Sequence, residues 1–222
     1  MEEKSADEKM FELYRDNLKA EGMRLVCFIR VYRLLQERRG DRLAELNIAP
    51  CFFQTVEDAL FSAIVLWIDK LFAEDAERGL HNFLKFVENH QALFSIEAFQ
   101  RRRGLPDGDW RLKREPVDYA MIAADRETII NFEPLKSFRL RRDKFHAHFD
   151  KRYFFDRSRI ADDAPLKWCD LDEAMELLKN LLNRYSAAYD GGVFHVEPLN
   201  ANDLNYLLDC LHKAKNNDDG DS

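Results

Sequence analysis

The chain has 222 residues, 46% hydrophobic and 34% charged, and its 34 Lys and Arg against 41 Asp and Glu give a net charge of −7. That length fits one domain able to bury a core without disulfide staples, and the apolar share excludes a wholly disordered chain. With only 8 Gly and 6 Pro, turn-rich sandwiches and barrels are disfavoured, and the acidic average argues against general nucleic-acid coating.

The first residues, MEEKSADEKM, are acidic and polar, unlike a secretory signal or a basic transit peptide. Residues 7–39 read as one long helix. Leu25, Phe28, Ile29 and Tyr32 fall at i, i+3, i+4 and i+7, the stripe of a helix with one buried face. Gly40 follows as a stop signal. Pro50 opens a second helix, CFFQTVEDALFSAIVLWIDKLF, whose middle is apolar nearly all round and so predicts a central position. Its longest purely apolar run, AIVLWI at 63–68, is far short of a membrane span.

Leu80, Phe83, Leu84 and Val87 make another amphipathic stripe, and SIEAFQRRR predicts a short helix ended by Gly104 and Pro106. GLPDGDWRLKREP is a loop. Pro116 starts a helix running to about Phe132. Pro134 forces a break, and a new helix is expected over 134–149. KRYFFDRSRIADDAPLKW reads as irregular. Asp170 with Glu173 resembles a capping box, and Leu171, Met175, Leu178, Leu182, Tyr185 and Tyr189 then form a long stripe closed by DGG. GGVFHVEP could form a short extended piece. A last helix carries Leu204, Leu207, Leu208 and Leu211 on one face. The fold class is therefore all-α, an up-and-down bundle of five to seven helices. One domain covers 1–215, and a disordered acidic tail covers 216–222.

Cys27, Cys51, Cys169 and Cys210 are scattered without a CxxC, the usage of reduced thiols in a cytoplasmic protein rather than of a disulfide framework or zinc ribbon. No GxGxxG, Walker A, HExxH or GxSxG pattern occurs. No cofactor, metal site or membrane contact is expected.

The segment Leu135–Lys151 reads LKSFRLRRDKFHAHFDK. Leu135, Phe138, Phe145 and Phe149 form an apolar stripe in which Arg142 occupies one inward position. An inward Arg is costly unless its guanidinium is paired or opens onto a polar cavity. Two histidines follow. On a straight helix Arg142 and His146 sit ~40° apart, whereas Arg142 and His148 sit ~120° apart.

The string Arg142-Asp143-Lys144-Phe145-His146-Ala147-His148, followed by Phe149-Asp150-Lys151, resembles the signature of the HEPN superfamily: an Arg, a polar residue, and a His after a gap of four to six residues. Arg142, Asp143 and His148 fit it. The wording R-D-K-x-x-A-H-x-D is similar in particular to the abortive-infection U-type (AbiU2-like) branch, and FFQTVEDALFSAIVLWIDKLFAED looks like that branch's central helix. The resemblance spans about residues 50–190.

It implies a HEPN-like bundle and a metal-independent endoribonuclease, a toxin of phage defence or of a toxin–antitoxin pair. It also implies a homodimer with the motifs of both protomers at the interface, and a possible cognate antitoxin. Its candidate catalytic residues are Arg142, His148, Asp143 and His146, with Arg141, Lys144 and Lys151 as candidate RNA-binding residues. RNA carries its own nucleophile, the 2′-OH. A His can move the proton, an Arg can neutralise charge on the phosphoryl oxygens, and the product would be a 2′,3′-cyclic phosphate.

One departure stands out. HEPN toxins silenced by a nucleotidyltransferase often carry a Tyr two residues after the His. Here that position is Asp150, and the nearest tyrosine is Tyr153. Two other readings remain open. One is a non-catalytic helical module that binds RNA or a protein. The other is a plain dimerising bundle in which Arg142 pairs with a carboxylate such as Asp58 or Asp69. The acidic average also hides a local excess: residues 101–159 hold 16 Lys and Arg against 10 Asp and Glu, where a phosphate backbone could be steered.

Overall fold

The computed structural model describes residues 3–146, 148, 150–195 and 202–218. Among them the chain forms eleven α-helices and no strand: α1 (Ala6–Arg38), α2 (Leu43–Leu46), α3 (Pro50–Phe72), α4 (Leu80–Asn89), α5 (Ile96–Arg103), α6 (Tyr119–Ile130), α7 (Pro134–Arg141), α8 (Lys151–Phe155), α9 (Arg159–Asp163), α10 (Trp168–Asp190) and α11 (Asp203–Asp218). The count exceeds the expected five to seven: α2, α8 and α9 are too short for periodicity to show, and the eight longer helices alone pass seven.

The long helices follow the local chemistry. Ser5 caps α1, accepting from the Glu8 N–H while the Glu8 carboxylate accepts from the Ser5 N–H. Pro50 and Pro134 open α3 and α7 in the first turn, where a missing N–H costs nothing. Gly104 (φ +59°) and Gly191 (φ +76°) end α5 and α10 in the left-handed region. α6 starts at Tyr119 rather than at Pro116, because the Asp118 side chain caps it by accepting from the Met121 N–H. At the start of α10 it is Asp170 that reaches back to the Lys167 N–H (2.6 Å), not a pairing with Glu173.

α1, α3 and α10 form the centre of the bundle. Leu25 and Ile29 of α1 meet Ile64, Val65 and Ile68 of α3 and Leu178, Leu182 and Tyr185 of α10 in one apolar cluster. α3 is the one described helix long and apolar enough to cross a membrane by composition, but its Ile64, Val65, Ile68, Leu71 and Phe72 are core residues of this bundle. α11 docks Leu208 onto Leu35, Leu46 and Phe53 in a second cluster. Leu207, expected on the same face, is exposed. α11 runs on to Asp218, beyond the expected boundary at 215. The expected tail from 219 onward, and 196–198 of the possible extended piece, lie outside the described residues.

Candidate functional site

α7 packs along α3, with Phe138 fully buried. The helix does not continue to 149 as expected. After Arg141 the chain widens into a single π-helical turn over Arg142–His146, and His148 lies in a bend. Such turns shift the register of every later side chain and are frequent at functional sites. Phe149 lies outside the described residues.

Arg142 faces α3, as its place on the apolar stripe predicts. Its Nη1 donates to the Asp69 carboxylate, and its Nε donates to Asp143 at 2.6 Å. Nη2 also lies 2.6 Å from the same Asp143 oxygen. Burial works against the Arg142 charge, but its hydrogen bonds to both carboxylates outweigh that and raise its pKa. Three of the five guanidinium N–H donors are thus directed at carboxylates, while a quarter of the side chain (25%) stays exposed. Of the two carboxylates foreseen as partners, Asp69 is the one used. Asp58 instead accepts from Gln54 at 3.1 Å.

His146 is anchored on the same face of α3. Its Nδ1 lies 2.9 Å from Ser62 Oγ, and the Ser62 hydroxyl donates to the Asp58 carbonyl at 2.8 Å. Because the serine proton is engaged there, Ser62 Oγ must accept from His146 Nδ1–H. That fixes the tautomer and leaves Nε2 as the lone-pair nitrogen. Nε2 is buried without a partner. Burial, aided by the nearby Arg141 cation, lowers the His146 pKa to about 4, so the ring is neutral near pH 7. His148 is exposed. Both rings line one open cavity of about 270 Å³, whose walls include Ser62, Lys144, Asp150 and Arg157.

The chain therefore brings the two histidines together and leaves the arginine apart. Arg142 is not among the residues lining the cavity. Its anchor Asp69 and the His146 anchor Ser62 lie seven residues apart on α3, about 10 Å along the helix axis. Lys144 is exposed in the cavity wall, 3.4 Å from Asp150. Asp150 also caps α8 by accepting from the Arg152 N–H, which holds its pKa below the usual range. Lys151 is exposed at the start of α8. Arg141 departs from its expected role as a surface RNA contact: it is buried, and its Nε donates to the Ala164 carbonyl at 2.7 Å. Tyr153 is buried, with its hydroxyl donating to Asp163 at 2.9 Å. Among the described residues no group of three His, Cys, Asp or Glu is arranged to hold a metal.

Ser62 was not foreseen. It lies one turn from Asp58 and two from Asp69, so its polar face was present in the spacing but masked by the apolar run around it. The basic stretch near residue 100 is also corrected in part. Arg102 is drawn into the fold, donating to the Tyr189 carbonyl (2.9 Å), the Leu93 carbonyl and Glu8 (3.1 Å). Arg114 donates to the carbonyls of Ala187 (2.8 Å) and Ala188 (2.5 Å).

A model of the protein family HEPN_AbiU2, described as AbiU2, matches residues 8–209. Neither a curated protein nor a solved structure matches the chain.

Proposed function

The chain belongs to the AbiU2 family of HEPN proteins, and from that premise we propose that it is an endoribonuclease needing no metal, acting as a toxin in phage defence or a toxin–antitoxin pair. In this reading the 2′-oxygen of RNA attacks the adjacent phosphorus. The new 2′-O–P bond forms, the P–O5′ bond breaks, a base takes the 2′-OH proton, and an acid returns one to the 5′-oxygen.

His148 is the proton-transfer residue. It is exposed in a cavity walled by Lys144 and Arg157, where a phosphodiester can reach it. His146 is a positioning residue: its free nitrogen is sealed off and it is a weak base, but its bond to Ser62 pins the π turn that delivers His148. Arg142 neutralises charge on the phosphoryl oxygens through the two N–H groups its carboxylates leave unused. Asp143 and Asp69 hold the fork in place.

The observation that carries this reading is that His148 lines an open cavity with Lys144 and Arg157, and Arg142 does not line it. A site needing both is completed when two chains meet, so that Arg142 of one protomer serves His148 of the other. The test is incubation of single-stranded RNA with the protein in EDTA, with the product ends identified. Wild type yields 2′,3′-cyclic phosphate ends, and Arg142→Ala and His148→Ala yield none while remaining helical by circular dichroism. Equal cleavage by the double variant sinks the reading.

The Arg142–Asp69 pair also suits a plain dimerising bundle. In that case wild type leaves RNA intact in EDTA and does not retain it.

A further inference from the structure

Arg141 has no counter-charge. It is only 8% exposed, and its single protein hydrogen bond is from Nε to the Ala164 carbonyl. Neither η nitrogen has a hydrogen-bond partner among the described residues, and neither is sealed from solvent. Its pKa is lowered by burial. A desolvated guanidinium without a carboxylate is one of the more costly arrangements a core can hold. Two other arginines turned into the fold differ: Arg15 has Asp190 and Arg102 has Glu8.

The free end of Arg141 meets a second cavity of about 320 Å³, bordered by Tyr32, Gln36, Lys167 and Trp168, and no carboxylate lines it. Phe61 forms the partition between this cavity and the histidine cavity, bordering both. The Arg141 guanidinium stands over its ring at 5.4 Å. Leu166 and Leu171 also line the second cavity, and the Tyr32 and Trp168 rings stand 5.4 Å apart.

We propose that this cavity is an anion site that takes a phosphate group on the paired η nitrogens of Arg141. A guanidinium fork matches two oxygens of a phosphate at once. Lys167 at the rim adds a second cation, which suits a group carrying close to two negative charges at neutral pH. The Tyr32 hydroxyl and Gln36 amide supply neutral polar contacts, and Trp168 and Tyr32 offer flat surface to whatever bears the phosphate. The bound group would lie across Phe61 from His146. The site does not depend on RNA cleavage, and it can hold an anion in a protein that cuts nothing.

The test is titration of the full-length protein with inorganic phosphate, followed by calorimetry and by Trp168 fluorescence. Wild type is expected to bind saturably, Lys167→Gln to bind more weakly, and Arg141→Gln to bind roughly tenfold to a hundredfold more weakly. Trp168→Phe should keep the calorimetric signal and lose the fluorescence change. A short RNA that displaces the Arg141-dependent phosphate identifies the source as a nucleic-acid phosphate, and failure to displace it identifies a small phosphorylated molecule. Heat from wild type that never saturates overturns the proposal. So does unchanged phosphate binding by either Lys167→Gln or Arg141→Gln, so the rim variant keeps the test decisive even if Arg141→Gln fails to fold.

Discussion

Two arginine-rich segments of this protein look alike in sequence and do different work. In residues 101–114, Arg102 and Arg114 turn onto the last carbonyls of α10, and Arg102 also meets the buried Glu8. Cations there satisfy orphan carbonyls and oppose the negative end of the helix dipole. In residues 139–157, the fork of Arg142 is only partly used by carboxylates, while Lys144 and Arg157 border an open cavity with two histidines. Positive charge count alone does not show which donors the fold has already taken.

The largest expected effect separates the two segments. Arg142→Ala or His148→Ala should lower RNA cleavage by about 100-fold or more, the scale of losing an electrostatic or proton-transfer group, with little change in helicity. Arg102→Leu should do the reverse. It removes the nearer of two arginines from buried Glu8, leaving Arg101 at 3.5 Å, so stability should fall by about 1–3 kcal/mol and the melting temperature by roughly 2–12 °C, while cleavage per folded molecule holds. Cleavage assays beside thermal melts read both. Loss of cleavage in folded Arg102→Leu would erase the distinction.

Asp69→Asn is the next largest. It keeps the shape but removes one of the two charges that orient Arg142. We expect a loss of about 1–2 kcal/mol and cleavage reduced about tenfold. A variant that melts earlier but cuts RNA normally would make Asp69 a purely structural partner.

His146 gives a pH-dependent effect of similar size on stability. Its folded pKa of about 4 lies below its ordinary 6.5, so the unfolded chain binds the proton more readily. Its contribution is therefore complete above pH 6.5 and declines as pH falls toward 4, by roughly 2 kcal/mol after allowance for solvent screening. Denaturant melts of wild type and His146→Gln across this range should converge toward acid pH. Parallel curves would mean that the ring is not held neutral. Ser62→Ala should cost least, about 1 kcal/mol, by leaving Nδ1–H without an acceptor.

Much of the fold was legible. The stripes of α1, α4 and α10, the proline starts of α3 and α7 and the glycine stops of α5 and α10 are local signals, and local signals decided them. The family resemblance and the inward place of Arg142 were legible for the same reason. The π turn was not, because no spacing rule chooses it. It forms where Arg142 and His146 find Asp69 and Ser62 on a neighbouring helix. α8 and α9 escaped notice because five residues cannot display a 3.6-residue period. The roles of Arg102, Arg114 and Arg141 depended on which carbonyls and cavities the fold brings beside them, and the sequence does not show that.

A site completed between two chains can be rebuilt from two inactive ones. Arg142→Ala and His148→Ala chains, each inactive alone, should be co-expressed with different tags and purified as the mixed dimer. The mixed dimer contains one site with an intact arginine from one chain and an intact histidine from the other. It should regain roughly half of wild-type cleavage, as a two-fold interface requires. A mixed dimer as inactive as either parent would place Arg142 and His148 in service of the same chain and contradict the account.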